Sequence, residues 1–184
     1  PKLQFRILAQ KGNARAGEFT LNGVTVKTPI FMPVWTKATI KWLILDLLRD
    51  PHYIGDLPPI NLILANTFHL FLHPWADIIQ EAGVRNPLVR DGEKLGWVHS
   101  FENWNQLILT DSWGFQAFSL AKGKSGKSLA KLTEDGVKFQ SPYDGTQHFF
   151  SPEWTVDTQC KFWSDIMMML DVCSPAWITK KKYY

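Results

Sequence analysis

Two acidic side chains stand at the ends of apolar runs. Asp111 follows Ile108-Leu109-Thr110, and Asp171 follows Met169-Leu170. Carboxylates that project from strand ends into a common mouth can exchange protons with a substrate or accept its N–H donors. They can equally cap the next helix or bind loop backbone, and spacing alone leaves both readings open. Ser112, Phe115 and Gln116 in DSWGFQ follow Asp111, Cys173 in DVC follows Asp171, and Asn66 in NTFHL stands at the end of another apolar run. Phe115 can stack on a planar base, although aromatics at this density are mostly core. His69 offers a base or a ligand, but among apolar neighbours it reads better as a structural histidine. Cys173, just past a strand, reads better as an inert thiol than as a nucleophile. Trp113, set against Gly114, is expected to fill the space above Asp111 where a small planar ligand would sit.

The elements that must carry these residues are legible as short buried runs. IFMPV (30–34), INLILA (60–65), residues 107–110 and residues 165–170 have the continuous apolar character of parallel-sheet strands, and each ends in polar residues. A helix is expected from Thr36 through Leu48, halted by Asp50-Pro51, and another over Ala76 to Ala82 ending at Gly83. Residues 84–98 read as a charged loop before an aromatic turn, FENW. Asp144-Gly145 turns a hairpin within GVKFQSPYDGTQHFF, and Ser151-Pro152-Glu153 starts a helix to about Trp163. Ahead of all this, LQFRILA, EFTLNG and VTVKTP form a small antiparallel β-cap with a hairpin at Asn22-Gly23. Strands alternating with helices, each closing on polar residues, give the α/β layout of a parallel barrel with its site at the strand C-termini.

Composition narrows the class. With 184 residues, 45% hydrophobic and 20% charged, the chain is ordinary globular protein rather than disordered. A formal charge of +3 is far short of a nucleic-acid-binding tail. No apolar run approaches the roughly 20 residues a membrane-spanning helix needs, and the N-terminus lacks a secretory pattern. Cys160 and Cys173 fit reduced thiols in the cytoplasm, and with no histidine nearby they do not make a zinc site. AKGKSGKS (121–128) reads as a solvated loop, because the strand and first glycine of a phosphate loop are missing.

FMPVWTKATIK (31–41), NTFHLFLHP (66–74), ILTDSWGFQAFSL (108–120), SPE (151–153) and DIMMMLDVC (165–173) together resemble the tRNA-guanine transglycosylase family, bacterial type. The resemblance implies a TIM (β/α)8 barrel, present here as an incomplete barrel: a cap over 1–28 and the first half of the barrel over 29–184. It implies a pentosyltransferase that exchanges guanine in tRNA, at the anticodon wobble position, for a 7-deazaguanine base such as preQ1 or queuine, in queuosine biosynthesis. Asp111 matches the family's general acid/base, Asn66 the residue that orients it, and Ser112 and Gln116 its pocket neighbours. Phe115 matches the aromatic that stacks on the base, Asp171 the carboxylate that reads its N–H edge, and Cys173 a pocket cysteine. The family also carries zinc, whose ligands fall beyond Tyr184, as does the nucleophilic aspartate. By the same resemblance the partners are tRNA and the base, with a homodimer allowed for the full-length protein.

Against that pattern, Trp35, Trp42, Trp75, Trp97, Trp113, Trp163 and Trp177 stand where the family has glycine. Some glycine and tryptophan codons differ by one base. Tryptophan at a glycine turn brings bulk and, where φ is positive, strain of roughly 1 to 3 kcal/mol. The fragment is therefore expected to be inactive by itself. A non-catalytic partner subunit or RNA-binding interaction module of the same family is the alternative, and the retained Asp111 and Asp171 weigh against it.

Overall fold

A computed structural model describes residues 3–40, 44–114, 116, 119 and 129–171. Phe115, Cys173, Trp42, Trp177 and the 121–128 loop lie outside the described residues. The cap is a three-stranded antiparallel sheet, β1 (Gln4–Lys11), β2 (Ala14–Leu21) and β3 (Val24–Thr28), in the order β1-β2-β3. Asn22 and Gly23 both have positive φ, 48° and 79°, as a tight two-residue hairpin turn requires.

The four apolar runs become neighbouring parallel strands. These are β4 (Val34–Trp35), β5 (Leu62–Ala65), β8 (Leu107–Thr110) and β12 (Ile166–Met167), in the order β12-β8-β5-β4. Ala65 pairs with Thr110, Trp35 with Ala65, and Met167 with Thr110, so the strands end at a common level. The run expected over 30–34 supplies one ladder residue, Val34, with Trp35 beyond it, partly because Pro33 has no N–H to donate, and the run expected over 165–170 supplies two, Ile166 and Met167. Among the described residues the sheet is open at both edges and no barrel closes.

Several helix boundaries differ from expectation. Residues 36–40 are turn and bend, followed by a short 3-10 helix, Leu45–Leu48. Asp50-Pro51 begins a helix rather than halting one: Asp50 accepts from the His52 N–H and Pro51 occupies the first turn of α1 (Pro51–Ile54). α2 (Thr67–Leu72) follows β5, and α3 runs over Ala76–Arg85, through Gly83. Gly83 serves packing, because a Cβ there would lie 2.8 Å from the Trp97 backbone. The charged stretch before FENW contains a small hairpin, β6 (Val89–Arg90) and β7 (Glu93–Lys94), and FENW itself falls at the end of α4 (Trp97–Glu102).

Beyond β8 a second antiparallel sheet forms from β9 (Ala130–Thr133), β10 (Gly136–Gln140) and β11 (Gln147–Phe150), with the expected hairpin between the last two. α5 (Pro152–Phe162) is capped by Ser151, whose Oγ accepts from the Trp154 N–H at 3.1 Å. Three apolar clusters hold these parts together. Trp35, Ile63, Ile79, Val98, Ile108 and Phe162 fill the space between the parallel sheet and α3, α4 and α5. Phe68, Trp113, Phe139 and Phe150 join α2 to the second sheet. Leu21, Val24 and Val26 of the cap pack on Leu62 and Leu107 at the strand N-termini.

Candidate active site

The site grows from the ends of β5 and β8. Both strands finish on buried backbone, and the Asp111 N–H continues their ladder by donating to the Ala65 carbonyl at 3.2 Å. The next residue after β5, Asn66, is the N-cap of α2: its Oδ1 accepts from the His69 N–H at 3.0 Å. That cap fixes the amide, and its Nδ2 then donates to Asp111 Oδ2 at 2.6 Å. Thr67 holds Asp111 twice more. Its backbone N–H donates to Asp111 Oδ1 at 2.9 Å and its hydroxyl donates to the Asp111 carbonyl at 2.6 Å.

Burial pushes the Asp111 carboxyl up from 3.8 to about 6. The Thr67 and Asn66 donors oppose the rise, the charge of Asp171 adds to it, and the Trp113 backbone N–H opposes it again. A carboxyl poised near 6 is able both to give and to take a proton near neutral pH. Asp171 faces the same place: Ser112 donates its hydroxyl to Asp171 Oδ1. Gly114 is needed there, since a Cβ would collide with the Asp171 carboxylate.

Asp111, Ser112, Gln116 and Asp171 line one cavity of about 430 Å³, walled by Leu109 and Met168. Gln116 Oε1 is buried without a partner among the described residues, which leaves an acceptor for a ligand N–H. Of the residues read from sequence, Asp111, Ser112, Gln116 and Asp171 thus meet, and Asn66 stands behind Asp111 as its support. His69 does not line this cavity; its ring packs edge-on to Phe68, and burial with the nearby charge of Lys37 lowers its pKa.

Trp113 is not where the sequence suggested. It contributes to one wall, but its side chain is 1% exposed and stacks on Phe68 at 5.3 Å, with Phe150 edge-on at 4.6 Å. The cavity before Asp111 stays open because the φ of 61° at Trp113 sends the indole back into the aromatic cluster. Its Nε1 pays for that placement with no hydrogen-bond partner among the described residues. Thr67 and Gln159 were not anticipated. An Asn-Thr pair at a strand end, and a glutamine on the buried face of α5 between Thr155 and Phe162, are the signals that could have found them.

Residues 10–184 match the family described as TGT, Queuine tRNA-ribosyltransferase. The chain belongs to this family. A Queuine tRNA-ribosyltransferase of Aquifex aeolicus is 43% identical over 173 residues, covering 92% of this chain and 40% of that protein. One from Thermoanaerobacter pseudethanolicus is 41% identical over 175 residues, covering 94% of this chain and 40% of its own length. One from Janthinobacterium is 41% identical over 173 residues, covering 94% and 39%. The chain therefore spans about two fifths of the length of these curated relatives. Among the described residues no group of three or more His, Cys, Asp or Glu side chains is placed to hold a metal. No described helix is long and apolar enough to cross a membrane.

Proposed function

We propose that this chain is the base-binding half of a tRNA-guanine transglycosylase, a pentosyltransferase that exchanges a guanine of tRNA, at the wobble position, for a 7-deazaguanine base in queuosine biosynthesis. The observation that carries the reading is Asp111, a carboxyl raised to about 6 and held by Asn66 and Thr67 at a cavity it shares with Asp171. In this reading Asp111 protonates the departing guanine and later takes a proton from the incoming base. Asp171, steadied by Ser112, accepts the N–H edge of the heterocycle, and Gln116 Oε1 takes a further donor. The roles of Phe115 as the stacking aromatic and Cys173 as the pocket cysteine are carried over from the family resemblance alone. The cap over 1–28 and the strands from residue 29 onward belong to a β/α barrel that further chain completes, working in the cytoplasm. The carboxylate that attacks C1′ and the zinc ligands come from outside this chain, so the fragment has no covalent step of its own.

Labelled guanine and tRNA test this directly. The full-length protein is expected to transfer label into tRNA, its Asp111→Asn variant to lose the activity, and the 184-residue chain to transfer none. Label entering tRNA with the Asn variant would exclude Asp111 as the acid/base, and label entering with the 184-residue chain alone would show that the nucleophile lies within it.

A further inference from the structure

Gln159 is a fully buried amide on α5, 0% exposed, and it uses every hydrogen-bonding position it has. Its Oε1 accepts from the Thr110 hydroxyl at 2.7 Å and from the Met168 N–H at 3.0 Å. Its Nε2 donates to the Met168 carbonyl at 2.8 Å and to the Thr155 carbonyl at 3.2 Å. Two N–H groups facing two carbonyls leave the amide only one orientation. Thr110 spends its single proton on Gln159, so Ser164, 2.7 Å away, donates to Thr110.

These contacts fall at the roots of the candidate site. Thr110 immediately precedes Asp111, and Met168 begins the segment that ends at Asp171. β12 is an edge strand of two residues, and the Met168 N–H to the Thr110 carbonyl at 3.1 Å continues its ladder with β8. Past that point the segment leaves the ladder, and Gln159 shares that Met168 N–H with the Thr110 carbonyl while donating to the Met168 carbonyl. We propose that Gln159 is a positioning residue, clamping the segment that carries Asp171 against the strand that carries Asp111 and so fixing the two carboxylates about one ligand. The assignment rests on the reading of that cavity as the base-exchange site. Gln159 touches no ligand position itself, since α5 lies behind the sheet in the cluster with Phe162.

The test uses the full-length protein and the Gln159→Met variant, which keeps the volume and removes all four bonds. The expected result is an unchanged KM for tRNA, a kcat lower by roughly 10- to 100-fold, as a misplacement of reacting groups produces, and an acid limb of the pH profile displaced toward ordinary aspartate values. Displacement follows because releasing Met168 admits water to Asp111 and moves the charge of Asp171 away. A folded variant with wild-type kcat and pH profile would overturn the proposal. Where Gln159→Met does not fold, Thr110→Val and Thr110→Ser decide: Val is expected to lower kcat and Ser to restore it, and a Val variant with wild-type kcat also overturns it. If the wild-type protein exchanges no guanine, the functional reading fails. The clamp is then judged by carbon-13 NMR titration of Asp111, where a lower midpoint in Gln159→Met supports it and an unchanged midpoint overturns it.

Discussion

Trp75 provides the sharpest test of the backbone argument. It sits at φ 90° and ψ 146°, before the first turn of α3, close to the region that glycine alone enters freely. Its ring is 40% exposed and touches Phe71 edge-on at 5.3 Å. Removing the ring forfeits about 0.5 to 1.5 kcal/mol of aromatic contact, while relieving a conformation that costs about 1 to 3 kcal/mol. The comparison that isolates the backbone is Trp75→Gly against Trp75→Ala, because both lose the same ring. At an ordinary helix position alanine is the more stable by about 0.5 to 1 kcal/mol. At residue 75 the order should invert, glycine exceeding alanine by about 1 to 2 kcal/mol, which for a chain of this size is a Tm difference on the order of 2 to 8 °C. Trp97, in the first turn of α4 and without positive φ, is the internal control, where alanine should win. Thermal melts of the four variants measure this. A Trp75→Gly protein no more stable than Trp75→Ala would refute the reasoning. Trp163, at φ 55° in the αL cap of α5, should follow Trp75 in sign. In Trp113→Gly the cavity left among Phe68, Phe139 and Phe150 should outweigh the relief, a loss of about 3 to 5 kcal/mol for the ring against about 1 to 2 regained.

Glu102 is 4% exposed with both carboxylate oxygens unpartnered among the described residues, and burial drives its pKa well above 4.5. A raised acid stabilises the fold below its unfolded pKa and loses that contribution as pH rises toward its folded value, so Glu102→Gln should flatten the decline in denaturant midpoints as pH rises above the ordinary glutamate range. Asn66→Ala removes a donor that opposes the rise at Asp111, so the carboxyl should titrate above its present value of about 6 in carbon-13 NMR, and a fall would count against the assigned bond. Asp165 is buried and paired with His99 at 3.0 Å. Burial raises its pKa, but the hydrogen bond and charge of His99, with the donors of Ile108 and Asn22, outweigh that and leave it low. Asp165→Asn should therefore destabilise by about 3 to 5 kcal/mol at neutral pH, and the wild-type contribution should survive mild acid and disappear only as pH falls through that low value, as acid denaturation would show.

Local chemistry was sufficient to define the elements that sit near one another in sequence. Asn22-Gly23 specifies a hairpin because both positions tolerate positive φ, and Ser151-Pro152 starts α5 because a hydroxyl and a missing N–H suit a helix N-terminus. The apolar runs at 62–65 and 107–110 specify buried parallel strands, and the polar residues at their ends specify which end carries the site. The weak points were segments whose state depends on partners far along the chain. Asp50-Pro51 reads as a helix stop but starts α1, and Gly83 reads as a helix end until α4 is packed against it. The expected placement of the Trp113 indole above Asp111 is wrong for the same reason, since its direction depends on a cluster formed by Phe68, Phe139 and Phe150 from two other elements. So too with the site. Residue types named Asp111 and Asp171 and the family resemblance named Asn66, but the burial that lifts Asp111, the double hold of Thr67 and the grip of Gln159 on Met168 exist only once β5, β8, β12 and α5 are brought together. Hydrogen bonds between residues 45 to 59 positions apart carry no sequence signal of their own, because any polar residue at the right height on a neighbouring strand could make them.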